Sequence, residues 1–216
     1  MNGPRPPLAE HDVAELGKAY RLEAGAAPIG RFHTWWRGNS LPRLPEFAGL
    51  SIGPMDEPLP DGIIDLEAGE MRQRMERGHR LWLARIESEP AGWGWSATRS
   101  FTVGELGIVR ALPSGNRYLW DFVTLPSWRG RGIYPRLLQA IVTGETEADR
   151  FWLGHDLPNE ASRRGIAKAG FREVGVLFRE PDGSFALVPT GPLHLVDATA
   201  ALFDVPIAPA RQARHT

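Results

Sequence analysis

Cysteine is absent from the 216 residues, which excludes disulfides, thiolate nucleophiles and thiolate-type zinc sites together. Lysine is almost absent too: among 25 basic residues, only Lys18 and Lys168 are not arginine. Against 26 acidic residues this leaves a formal charge of -1. That is no basic excess of the kind that binds nucleic acid, and the arginine bias reads as codon usage before any phosphate-reading surface. Histidine is sparse, and His11, His33, His79, His155, His194 and His215 lack the spacing that sets two imidazoles on one helix face, so no metal is expected. No apolar run approaches the ~18 residues needed to cross a bilayer. Met1 to Leu8 lacks the basic start and apolar stretch of a secretion signal, so a cytoplasmic protein with no membrane partner is expected. What is present, 42% apolar and 24% charged residues, suits a folded chain long enough to bury a core.

A proline-rich arm, Gly3-Pro4-Arg5-Pro6-Pro7, leads into a predicted helix from Asp12 to Ala24, with Val13, Leu16, Ala19 and Tyr20 at helical spacing. Residues 26–62 hold Pro28, Pro42, Pro45, Pro54, Pro58 and Pro60 and the pair Trp35-Trp36, which predicts a long irregular segment. The tryptophans read as packing anchors or as part of a ligand wall, and the segment as a lid or wall that closes over a compact ligand. A helix is expected from Asp65 to Arg77, acidic early and basic late, with Gly78 to end it. Strands follow at Leu81 to Ile86 and Ala91 to Arg99, with the turn at Glu89-Pro90. A third, Arg117 to Leu125, alternates Tyr118, Trp120, Phe122 and Thr124 on one face with Leu119, Asp121, Val123 and Leu125 on the other.

After Pro126 the chain turns through Trp128-Arg129-Gly130-Arg131-Gly132 into a helix striped with Leu137, Leu138, Ile141 and Val142. Phe151 to His155 reads as a strand, Asn159 to Ala169 as a helix capped by Asn159, and Val174 to Val188 as a hairpin turning at Pro181-Asp182-Gly183-Ser184. Leu193 to Phe203 reads as a last helix. Helices, an antiparallel run, then strand-helix-strand-helix-strand predict an α/β (α+β) protein.

The strand-to-helix turn at Arg129-Gly130-Arg131-Gly132-Ile133-Tyr134 carries most chemical information. Glycines there let the backbone approach a ligand, and the free amides of a helix start favour a phosphate, with Arg129 and Arg131 adding attraction. A tight turn that needs glycine for its geometry reads equally well. Two phosphate motifs fail: a P-loop needs Gly-Lys-Ser or Gly-Lys-Thr, and the dinucleotide fingerprint needs a glycine where Pro135 stands.

The stretch from Phe122-Val123-Thr124-Leu125 through Arg129-Gly130-Arg131-Gly132-Ile133 resembles the acetyl-CoA motif of the GNAT acetyltransferase superfamily, Arg/Gln-x-x-Gly-x-Gly/Ala after a strand. Asn159-Glu160-Ala161-Ser162, continuing to Lys168-Ala169-Gly170-Phe171, resembles the family's second motif in the Asn-x-x-Ser variant of ribosomal-protein N-terminal acetyltransferases. The resemblance covers roughly Arg80 to Val188. It implies a mixed, mostly antiparallel central sheet flanked by helices, with an acetyl-CoA-binding core over residues 66–190. Residues 1–65 would be an N-terminal helix and loop of the same domain, and 191–216 a C-terminal extension. It further implies acetyl-CoA as co-substrate, with the backbone of Phe122, Val123 and Thr124 pairing with the pantetheine arm. The amides of Gly130, Arg131, Gly132, Ile133 and Tyr134 would hold the pyrophosphate, and Asn159 would bond the pantetheine or thioester end.

Acetyl transfer to an amine requires the amine, near pKa ~10.4 for a lysine, to lose a proton, and a thiolate of pKa ~8.5 to gain one. Many members of the family take the acid from a tyrosine four residues beyond the place of Ser162. That place holds Ile166 here, which leaves Ser162, by its hydroxyl or a water, or else a serine that bonds its own helix. Tyr134 stands where the family has Gly or Ala, and its ring goes toward the adenine side or into the core. Asp121 is the first candidate base, with its fixation by an arginine as the alternative reading. His155 and Asp156 follow, and Glu105 is an outsider. The expected activity is acetyl-CoA-dependent N-acetyl transfer to a primary amine, of a small molecule first and of a protein or peptide second. A non-catalytic acyl-CoA-binding module is the other alternative, and a homodimer is left open.

Overall fold

A computed structural model describes residues 10–211. The arm Gly3–Pro7 lies outside the described residues, as does the side chain of Glu105. The chain folds as two compact units, one of residues 34–153 and 161–171, the other of residues 10–33, 154–160 and 172–211.

The larger unit holds a sheet built from β2 (Leu50–Met55), β3 (His79–Ile86), β4 (Glu89–Ala97), β7 (Asn116–Thr124) and the first part of β8 (Arg150–Asp156). They are hydrogen-bonded in the order β8-β7-β4-β3-β2. Pairs among β2, β3, β4 and β7 are antiparallel, whereas β7 and β8 run parallel. A separate hairpin, β5 (Ser100–Val103) and β6 (Ile108–Ala111), leaves between β4 and β7.

Alternation along β3 sorts the core. Trp82 and Ala84 face α3 (Ile133–Gly144) and α4 (Glu160–Ala169), where Ile133, Leu137, Leu138, Ile141, Val142, Ile166 and Ala169 close one layer. Leu81 and Leu83 face the opposite way. There Trp93, Trp95, Leu59, Ile64 and Met71 of α2 (Ala68–Glu76) build the second layer. Burying such side chains is worth roughly 1.5–3 kcal/mol each.

The smaller unit holds α1 (Glu10–Lys18), most of β1 (Ala27–Trp36), the end of β8, β9 (Arg172–Arg179), β10 (Phe185–Pro189) and α5 (Leu193–Phe203). Its strands follow the order β10-β9-β1-β8. Val13, Val176, Phe178 and Val188 form its core, and Phe32 stacks on Phe203 with centroids 4.1 Å apart. Arg31 is buried and bonds both Glu173 oxygens, at 2.8 and 2.9 Å, so the charge enters the interior already paired.

Together these elements give the expected mixed α/β protein with a mostly antiparallel sheet and flanking helices. No described helix is long and apolar enough to cross a membrane. Several local expectations need correcting. Residues 26–62 are not irregular throughout, because they contain β1 and β2. Pro28 sits second in β1, and Pro54 lies on β2, which pairs only with β3 and therefore has an edge where a missing N–H costs nothing. Trp35 is 4% exposed and packs edge-on against Phe151, while Trp36 does so against Trp152, so both are packing anchors and not a lid.

The first helix is shorter than expected, ending at Lys18. The second starts later, at Ala68, whose N–H is taken by Asp61 Oδ1 at 2.6 Å. The turn between β3 and β4 falls at Glu87 (φ 57°) and Ser88, which puts Glu89 and Pro90 inside β4. Finally, β7 does not alternate throughout. Trp95 pairs with Trp120 but Trp93 pairs with Val123, so a bulge adds a residue to β7. The bulge puts Leu119 and Phe122 on the α3 face and Trp120 and Val123 on the other.

Candidate active site

The site is built around β7 in the larger unit. Parallel pairing with β8 is confined to Asn116–Arg150, Arg117–Phe151 and Tyr118–Trp152. Past Tyr118 that edge of β7 has no ladder partner among the described residues, and it carries Phe122, Val123 and Thr124. A strand edge released in this way offers backbone N–H and C=O groups to an extended ligand.

The released strand runs into the turn. Pro126–Trp128 form one 3-10 turn, and Arg129 donates from Nε to the Thr124 carbonyl at 3.1 Å. Gly130 and Gly132 both have φ of +76°, and Gly132 caps α3 with no side-chain bond to its amides. A Cβ on Gly132 would be strained in that conformation and would fall 2.6 Å from Arg136 Nη1. The first amides of a helix have no acceptor inside it, so Ile133 and Tyr134 join Gly132 in facing outward with the positive helix end.

The opposite end of α3 is closed. Arg37 donates to the carbonyls of Val142, Glu145 and Ala148, and Arg117 and Arg80 each meet Glu145 at 2.8 Å. Arginine meets the C-terminal carbonyls of α3, while its N-cap is a glycine with no side chain to bond the first amides, the polarity that suits an anion. Arg131 stacks over Trp128, its guanidinium carbon 4.9 Å from the ring centroid, and so stands beside the turn.

Tyr134 turns inward, away from the alternative of an adenine contact. Its ring lies 5.1 Å from that of Phe122 and fills the space above Gly165, where a Cβ would come within 2.5 Å of Cδ1. Its hydroxyl accepts from Ser162 Oγ at 3.4 Å, so the serine meets a side chain of α3. Burial pushes the phenol up to about 12 despite this bond, so Tyr134 is protonated at neutral pH. Ile166 is fully buried.

On the other face of β7, Asp121 sits at the bulge with φ 51°. Its Oδ2 is held by Arg74, which also meets Glu70 at 2.7 Å and stacks over Trp120 and Trp95. Asp121 is therefore fixed by an arginine through one of its two oxygens. Trp120 donates from Nε1 to His79 Nδ1 at 3.1 Å. Burial, followed by the charges of Arg74 and Arg77, pushes His79 down to about 4.

His155, Asp156 and Asn159 belong to the smaller unit. His155 faces His33 with centroids 5.1 Å apart and meets the Asp156 carbonyl through Nδ1 at 2.8 Å, and Asn159 immediately precedes α4. Sequence reasoning missed Arg74, His79 and Gly165. Glycine inside a helical pattern was a usable signal for the last. The i,i+4 pairing with Glu70 is the local signal at Arg74, while its partner Asp121 is on another element.

No curated protein matches the chain. An acetyltransferase of the GNAT family from Colwellia psychrerythraea shares 15% identity over 76% of this chain, with a TM-score of 0.47. This chain spans 58% of that protein's length. An aminoglycoside acetyltransferase from an uncultured soil metagenomic sample, in complex with sisomicin, shares 11% identity over 56% of this chain and 88% of its own, with a TM-score of 0.41. The ribosomal-protein-S5-alanine acetyltransferase of Vibrio fischeri shares 12% over 59% of this chain and 81% of its own, with a TM-score of 0.42. The sequence profile of the acetyltransferase (GNAT) family matches residues 48–171, more than half of the chain. That match takes in β7, the glycine turn, α3 and all of α4, and by it the chain belongs to the GNAT acetyltransferase family.

Proposed function

We propose that this chain transfers an acetyl group from acetyl-CoA to a primary amine of a small molecule. The supporting observation is the release of β7 from β8 after Tyr118, followed by a turn whose glycines and uncapped helix start face outward. The pantetheine arm would pair with Phe122, Val123 and Thr124, and the amides from Gly130 to Tyr134 would take the pyrophosphate, with Arg129 and Arg131 beside it. In the reaction the acceptor nitrogen bonds the thioester carbonyl carbon and the C–S bond breaks. One proton leaves the nitrogen and one reaches the sulfur.

The chain's residues divide these tasks. Asp121 keeps Oδ1 without a protein partner among the described residues and receives the amine proton. Ser162 and Tyr134 form a hydroxyl pair for the leaving sulfur, Ser162 the nearer counterpart of the missing acid. The test is calorimetric titration with acetyl-CoA, followed by thiol release with small-molecule amines and with a peptide N-terminus. Turnover with small amines supports the reading. Preferential turnover of the peptide would move the acceptor to the protein class, and binding without turnover would leave an acyl-CoA-binding module.

A further inference from the structure

We propose that Arg74 is a positioning residue for this transfer: by pinning one oxygen of Asp121, it aims the other at the acceptor amine. The proposal rests on the function above and extends it to a residue of α2 outside both motifs.

Arg74 is itself fixed from several sides. Its guanidinium carbon lies 4.6 Å from the ring centroid of Trp120 and 5.2 Å from that of Trp95. Its Nη1 bonds Asp121 Oδ2 and its Nη2 meets Glu70 Oε1 at 2.7 Å, leaving the side chain 17% exposed. A planar, multiply bonded guanidinium is a rigid holder, which a lysine ammonium is not.

What it holds is unusual. Asp121 adopts a left-handed backbone on a central strand, at the bulge that breaks the alternation of β7. Glycine or asparagine would meet that backbone demand at less cost, so geometry alone does not call for a carboxylate. Stability does not call for the pair either, since Asp121 is 37% exposed and ion pairs of that exposure contribute little. The bulge sits just past Tyr118, on the stretch of β7 released from β8, so the carboxylate lies at the start of the edge assigned to the thioester arm. His79, bonded to Trp120 and neutral at pH 7, adds no second cation on this face to compete for Oδ1.

The test uses the full chain and steady-state kinetics with acetyl-CoA and the best acceptor among 2-phenylethylamine, spermidine and an alanine-initiated peptide. R74Q is expected to lower kcat/KM for the amine by about 10², the cost of a misplaced catalytic group, with acetyl-CoA affinity unchanged. R74K should recover part of the loss, because its ammonium still meets Oδ2. D121N should lose at least as much as R74Q, and R74Q in the D121N background should cost nothing further, because both act through one carboxylate. Full activity in R74Q overturns the proposal. So do multiplying losses in the double variant, or a loss that R74K does not relieve, since these mark a structural role. A wild type that binds acetyl-CoA and transfers to none of the three amines overturns the proposed function, and this inference with it.

Discussion

Tyr134 shows how one side chain fills the space behind the turn. Its ring fits because α4 presents Gly165 to it. The hydroxyl accepts from Ser162, and the two are the hydroxyl pair proposed above for the leaving sulfur. Ser162→Ala is expected to lower kcat, within the ~10² to 10⁴ range of acid catalysis, with little change in the KM for acetyl-CoA. Ser162→Thr should keep part of the rate. Wild-type kcat in Ser162→Ala at saturating amine would leave the proton to Tyr134 or to solvent. Trp35 now belongs to a different prediction from the one its sequence context suggests. It is buried against Phe151, so Trp35→Ala should cost about 3–5 kcal/mol of stability in denaturant unfolding. A rise in amine KM with unchanged stability would return it to the acceptor side.

At the scale of elements, α3 is the piece that makes the site. Its C-terminal carbonyls are taken by Arg37, and Glu145 behind them is 1% exposed and bonded by Arg117 and Arg80. Glu145→Ala should therefore destabilise by about 3–5 kcal/mol, because the buried Arg117 loses its 2.8 Å carboxylate and keeps only the 4.0 Å contact to the exposed Glu147 and the Asn116 carbonyl. An unfolding midpoint equal to wild type would contradict this.

The position of α3 and its apolar stripe were legible in the sequence, because Pro135 and the Leu137, Leu138, Ile141, Val142 spacing are local signals. The hairpin of β9 and β10 and the span of α5 were legible for the same reason. β1 was hidden because Arg31 to Trp35 are all buried, which erases alternation, and because Pro28 argued against a strand. The bulge in β7 was hidden because it depends on the partner strand, and with it went the reversal of faces that sets Asp121 beside Arg74.

At the scale of the whole molecule, two titrations bound the pH range of stability. His79 is held down to about 4 from 6.5, so the unfolded chain takes up its proton first and stability falls as pH drops through 6.5 toward 4. Tyr134 is held up to about 12 from 10.0, so the unfolded chain loses its proton first and stability falls as pH rises through 10 toward 12. Thermal melts should show a plateau between these limbs, and Tyr134→Phe should flatten the alkaline one. An unchanged alkaline limb in that variant would mean the phenol is not buried as described. The central claim is that the glycine turn and the open start of α3 bind the pyrophosphate of acetyl-CoA. Calorimetric titration of acetyl-CoA into wild type and Gly132→Val, with circular dichroism to show that both are folded, tests it most directly. Wild type is expected to bind and the folded variant not to, and equal affinity in the two would remove the glycine turn as the pyrophosphate site.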